Sequence, residues 1–287
     1  MQPRNLRAIF QKPTAQRTDI IAEGLGLLTE HVGALHQSLL QLGDDGRRGA
    51  TVIEAFAREE AAKVLILLDL TRSGWSDKEA AAQQIKYLYE HLARGIYVRH
   101  YDYRPADFAE VCEYVEDLRQ KYYLDGPNDF DFIFRNAIEA NREDSLYVDY
   151  VTGEGGTGWW TTPASHDQYG VVLVSGAITV ALALQQVGAT TRAGLDVVAD
   201  VWKAVDLKKS THWGEILEIN GAAVEALYNA GLFAESATDE HVHQVLHHWS
   251  FPLFGLDLLR SSVSLGDLKA RREELEGTAL AQEAGYP

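Results

Sequence analysis

The stretch AFAREEAAKVLILLDL, residues 55–70, decides the fold. Its apolar residues recur at helical spacing. Extended back through GATVIE, the pattern makes a buried stripe of Val52, Ile53, Phe56, Ala57, Val64, Leu65 and Leu68. Three charged residues interrupt it: Glu59, Glu60 and Lys63. Glu59 and Lys63 stand one helical turn apart, the spacing of an i,i+4 pair. A carboxylate flanked by so much apolar surface needs a cationic partner. At least one glutamate is therefore expected to point inward, toward a basic side chain of a neighbouring helix.

Working outward, most of the chain reads the same way. TDIIAEGLGLLTEHVGALHQSLLQLG carries an apolar face from Ile20 to Leu40 and stops at Gly43. Asp44 and Asp45 are good caps for the helix through residues 55–70. Ser76 with Glu79 resembles a capping box that starts a third helix running to about Tyr101. Pro105 ends that stretch, and ADFAEVCEYVEDLRQKYY gives a fourth helix. DGPND is a turn, and FDFIFRNAIEANRED gives a fifth helix. SLYVDYV then looks extended, and GEGGTGWWTTP is expected to be a surface hairpin, with Trp159 and Trp160 packing its tip on the body. Those glycines are not a phosphate loop, because no Lys-Ser/Thr pair follows them. Helical patterns resume at about 166–187, 191–206, 212–230, 238–249 and 264–281. The sequence predicts an all-α protein: a helical bundle over residues 18–163, one short β-hairpin or extended loop, and an additional helical region over 164–287 that can pack into the same domain.

Composition narrows the function classes. With 46% hydrophobic and 24% charged residues, the chain is an ordinary globular one. The longest apolar run, Val171 to Val187, is broken by Ser175, Gly176, Thr179, Gln185 and Gln186, and reads as a buried helix rather than a membrane span. No secretory signal pattern opens the chain, and Cys112 has no second cysteine to pair with and sits on an apolar face, so a reducing, cytoplasmic setting is expected. The net charge of −16 is uneven. Residues 1–110 hold 14 Lys+Arg against 15 Asp+Glu, whereas residues 111–287 hold 12 against 27. The acidic remainder argues against non-specific duplex binding, while the near-neutral first third can form a local basic pocket.

That pocket has a candidate in RGIYVRHYDYR, residues 94–104, where three arginines and His100 stand among three tyrosines. Arg94 and His100 form an Arg-x5-His pair, and Arg99 lies between them. His91 and Arg94 stand one turn apart on a shared helix face. Either pair suits metal-free cleavage of RNA. That reaction needs a group to take the 2′-hydroxyl proton, an acid for the leaving oxygen, and a cation over the phosphorane between them. Histidine does proton work near neutrality, and arginine grips phosphate oxygens while staying charged. A separate cluster, DEHVHQVLHHW, puts His243 and His247 four residues apart with Glu240 one turn earlier, the geometry of a weak metal-binding pair. His212 falls at a helix start and reads as structural.

The order of these features resembles the AbiV-type abortive infection proteins of the HEPN superfamily. The likeness rests on AFAREEAAKVLILLDL, YLYEHLARGIYVRH and REDSLYVDYVTGEGGTGWWTTP, and covers roughly residues 18–163. The resemblance implies a homodimer in which Arg-x4–6-His motifs of two copies face one cleft. It implies a metal-independent endoribonuclease of phage defence that shuts down translation, needs no cofactor and takes RNA of the tRNA or rRNA class. A phage-encoded protein would be its activator. Carried onto this chain, Arg94 would position phosphate and His100, with His91 as the alternative, would move protons. Glu59, Glu60, Lys63 and Arg99 would tune the charge. The residue after the arginine is often polar in active HEPN nucleases and here is Gly95, which marks a kink or a close backbone approach. The alternative function is a non-catalytic HEPN dimer that binds a partner protein or a nucleotide-like ligand.

Overall fold

The computed structural model describes residues 6–42, 47–73, 75, 77–122, 136–152, 158–163, 175–264, 266–270 and 273–274. A short 3-10 helix, Leu6–Gln11, leads into α1 (Thr14–Gln41) and α2 (Arg47–Arg72), the two longest described helices, which pack along each other. Then follow α3 (Lys78–Tyr87), α4 (His91–Tyr101), α5 (Phe108–Gln120) and α6 (Ala137–Leu146). Strands β1 (Asp149–Thr152) and β2 (Gly158–Thr161) form an antiparallel hairpin with Tyr150 opposite Trp160. The chain closes with α7 (Gly176–Gln186), α8 (Arg192–Trp202), α9 (Trp213–Asn229) and α10 (Asp239–His248). The protein is all-α with one short hairpin, as its periodicity predicts.

Caps set the helix boundaries. Asp77, rather than Ser76 (which lies outside the described residues), accepts from the amides of Glu79 and Ala80 at the start of α3. The continuous third helix expected to Tyr101 is two helices, because residues 88–90 turn the chain between Tyr87 and His91. Asp107 caps α5 and Asn136 caps α6, while Thr191 accepts from the Gly194 amide at α8. Asp102, just past α4, receives the Gly176 amide and so ties the start of α7 to the end of α4. The Glu215 carboxylate takes the His212 amide at α9, the structural role expected of a residue at that position.

Residues 18–163 and 164–287 share one core. Leu65, Leu68, Ile85 and Ile96 are buried in the same cluster as Ile178, Leu184, Leu195, Leu227 and Trp249. Three members of the expected stripe depart from it: Val52 and Ile53 are only partly buried and Phe56 is half exposed. The reason is that the N-terminal half of α2 is covered on fewer sides than residues 61–71, which are almost all buried. Trp159 and Trp160 are exposed as well, so the hairpin does not lay its tryptophans on the body. Cys112 is half-buried at the edge of the core. The caps read at Asp44 and Asp45, the DGPND turn, the first half of the fifth helix, residues 164–174 and much of the last helix lie outside the described residues. Among the described residues, no helix is long and apolar enough to cross a membrane.

Candidate functional site

Glu59 is the inward-pointing carboxylate, and it gathers two arginines and a histidine from two other helices. Arg94 of α4 reaches its Oε2 at 2.9 Å, His91 Nδ1 lies 3.0 Å from Oε1, and Arg142 of α6 donates its Nε to Oε1. Burial alone would push the Glu59 carboxyl up. The Arg94 charge, with hydrogen bonds and charge from Arg142 and a bond from His91, outweighs this and holds its pKa below the ordinary 4.5. Glu59 is thus an ionised hub that joins α2, α4 and α6.

The three partners differ in access. The side chain of Arg94 is 8% exposed and that of Arg142 25%, against 48% for His91. Arg94 is committed within the protein. Its Nη1 donates to the Leu88 carbonyl at 2.8 Å, while Nη2 lies 2.7 Å from His91 Nδ1 as well as on Glu59. Its Nε is buried without a hydrogen-bond partner. Arg94 is a positioning group for Glu59 and the His91 ring. Nδ1 of that ring can donate to Glu59 or accept from Arg94, but not both at once. When Nδ1–H is given to Glu59, Nε2 is left with the lone pair that takes up a proton, the arrangement of a carboxylate-oriented base.

Gly95 lets this cluster form. A Cβ there would collide with Ile138 of α6, so the glycine marks a close approach and not a kink. Arg142 lies one turn beyond Ile138 on the same side of α6. The tight α4–α6 contact thereby brings Arg142 to Glu59, 83 residues away in sequence. Sequence reasoning missed Arg142. The signal available was its place one turn beyond Ile138 in FDFIFRNAIEANRED, a predicted helix with no partner in view.

His100 is elsewhere. It is fully buried, and its Nε2–H donates to the Phe251 carbonyl at 2.9 Å. Burial pushes its pKa from 6.5 down to about 4. The physical reason is rotation: at about 100° per residue His100 stands about 120° around α4 from Arg94, whereas His91 stands only about 60° away. The Arg94–His100 pair therefore does not converge, and the Arg94–His91 pair does. Glu60 and Lys63 form a local pair on α2, so Lys63 takes Glu60 and not Glu59 as its partner. Arg99 is exposed and stands near Tyr114, away from Glu59. The His243 and His247 rings lie 4.6 Å apart and tilted to each other on α10, and among the described residues no group of three or more His, Cys, Asp and Glu side chains could hold a metal ion.

The other side of α4 holds a second polar network, fully buried. Arg72 and Asp69 form an ion pair at the end of α2. The Arg72 guanidinium lies over the rings of both Trp202 and Trp249, 4.7 and 4.6 Å from their centroids, and donates to the Ser250 carbonyl at 3.0 Å. Asp69 accepts from Tyr97 at 2.7 Å and from the Leu253 amide at 2.8 Å. Such a pair is held by stacking and by nearly complete hydrogen bonding, the condition for a buried charge to be tolerated. This network is structural, since it closes the segment after α10 onto α2 and α4. No protein-family model, no curated protein and no solved structure matches the chain.

Proposed function

We propose that the chain is a phage-defence endoribonuclease of the AbiV-like, HEPN type, which cuts tRNA or rRNA without a metal and so halts translation. The observation that supports this reading is the meeting of His91, Arg94 and Arg142 on the ionised Glu59, with His91 the most exposed of the four. In the reaction, His91 takes the proton of a ribose 2′-hydroxyl. The 2′-oxygen attacks the adjacent phosphorus, the bond to the 5′-oxygen breaks, and a cyclic 2′,3′-phosphate is left behind. A second His91, from the other copy of a dimer, protonates the leaving 5′-oxygen. Arg142 stabilises the charge that builds on phosphorus. Arg94 keeps Glu59 and the imidazole in place.

The test is incubation of the purified protein with tRNA and ribosomal RNA in EDTA. Cleavage with cyclic phosphate ends is expected, falling about a hundred- to ten-thousandfold in His91→Ala. The fall in Arg94→Ala is expected to be about a hundredfold. Cleavage that survives both changes would remove this reading. The near-complete engagement of Arg94 by Leu88, Glu59 and His91 favours the second reading, a non-catalytic dimer that binds a partner protein or nucleotide-like ligand. Under that reading no RNA is cut at any protein concentration.

A further inference from the structure

The β1–β2 hairpin displays more uncovered aromatic surface than any other described part of the molecule. Tyr147, Tyr150, Trp159 and Trp160 are 54%, 56%, 51% and 70% exposed. Trp160 packs edge-on to Tyr150 across the strands, and the Tyr150 ring lies over Gly158, where a Cβ would clash with it. Trp159 and Trp160 are adjacent in β2 and so point to opposite faces of the ribbon. An isolated two-stranded hairpin is marginal in water, and solvated tryptophans on both faces do not stabilise it.

We propose that this hairpin is a dimerisation arm, inserted into a second copy of the chain. Area supports a second copy. The four rings leave roughly 500 Å² open per copy, or roughly 1,000 Å² for a reciprocal pair of arms, the threshold of a specific interface. Charge argues against an anionic occupant: residues 143–163 contain four acids and no Lys or Arg, which disfavours a nucleic acid stacked on the rings. Position links the arm to the Glu59 cluster. Arg48 of α2 donates to the carbonyls of Ser145 and Leu146, which fastens the root of the arm. Arg48, Val52, Phe56 and Glu59 fall within one arc of α2, and Phe56 is half exposed there. The arm therefore leaves the body on the side of α2 that carries Glu59. The arm follows from the exposed rings alone, while its use in building a two-copy cleft rests on the ribonuclease reading.

Sedimentation of the full chain over micromolar concentrations tests the arm against the double variant Trp159→Ser, Trp160→Ser. The parent is expected to dimerise, with its tryptophan emission shifting to the blue as it does so. The variant is expected to dimerise about a hundredfold or more weakly. At concentrations where both are monomeric, its thermal unfolding by circular dichroism should match the parent, since the lost rings are exposed in the single chain. A parent that stays monomeric, or a variant that dimerises as tightly as the parent, overturns the proposal. So does a variant with an intact dimer that has lost RNA binding, because the rings would then be a base-stacking surface. A parent that dimerises through the arm but cuts no RNA keeps the arm and removes the ribonuclease reading.

Discussion

Ile138 occupies the place where a side chain on Gly95 would begin. The consequence reaches beyond that contact, because α6 then lies close enough to α4 for Arg142, one turn further along, to join Arg94 and His91 around Glu59. A single missing Cβ thus sets the spacing of three helices about one carboxylate.

Gly95→Ala should lower stability even though alanine favours helix by about 1 kcal/mol, because overpacking costs about 1–3 kcal/mol. Gly95→Val should cost more. Adding Ile138→Ala to Gly95→Ala should recover part of the loss. Urea unfolding of the two single variants and the double measures the coupling; strict additivity would place the contact elsewhere.

Glu59→Gln removes the counter-charge of Arg94 and Arg142 while keeping the shape, and should cost about 1–3 kcal/mol. The pH dependence has a definite sign. Because the folded pKa of Glu59 lies below 4.5, its contribution is fully present above the unfolded value and is lost as pH falls through the folded one. Parent and variant stabilities should therefore converge below about pH 4.5.

His100 gives a second pH signature. It stays neutral in the fold down to about pH 4, whereas the unfolded chain takes up its proton near 6.5. Stability should fall as pH drops between those values, by about 3 kcal/mol in all. His100→Gln should flatten that slope in denaturation curves at stepped pH. If His91 is the acid–base group, RNA cleavage by this variant should keep the pH profile of the parent, and His91→Ala should abolish it.

Arg72→Ala strips Asp69 of its cation inside the core and should cost about 3–5 kcal/mol. Arg72→Lys should recover little, since a single ammonium cannot face both Trp202 and Trp249 and still donate to Asp69 and Ser250. Thermal melts of both variants check this. A lysine variant as stable as the parent would show that charge, and not the stacked plane, holds the segment.

Much of this was legible in the residues. Helical period marked the elements, and the apolar flanks of Glu59 foretold a buried carboxylate paired to the next helices, which Arg94 supplies. The choice between His91 and His100 was open in sequence because spacing alone does not say which arc of a helix meets which neighbour. Both sides of α4 are covered, so either histidine had an inward direction to take. Arg142 was hidden for another reason: its contact depends on a helix–helix distance, and no local pattern encodes that. Trp159 and Trp160 looked like packing residues, since large rings usually are, and only their place on an outlying hairpin leaves them exposed.

The clasp between Arg72, Asp69 and residues 250–253 also bears on synthesis. Arg72 emerges from the ribosome 178 residues before Ser250, and Asp69 184 residues before Leu253. Through that interval the growing chain carries an ion pair whose final neighbours do not yet exist. The early helices can gather, yet their inner end stays open to water. Closure must wait for residues 250–253, so a product that stops short of Ser250 would lack the groups that seal this end of the core. The network is therefore completed only after residues 250–253 have been made, long after the helices that carry its ion pair.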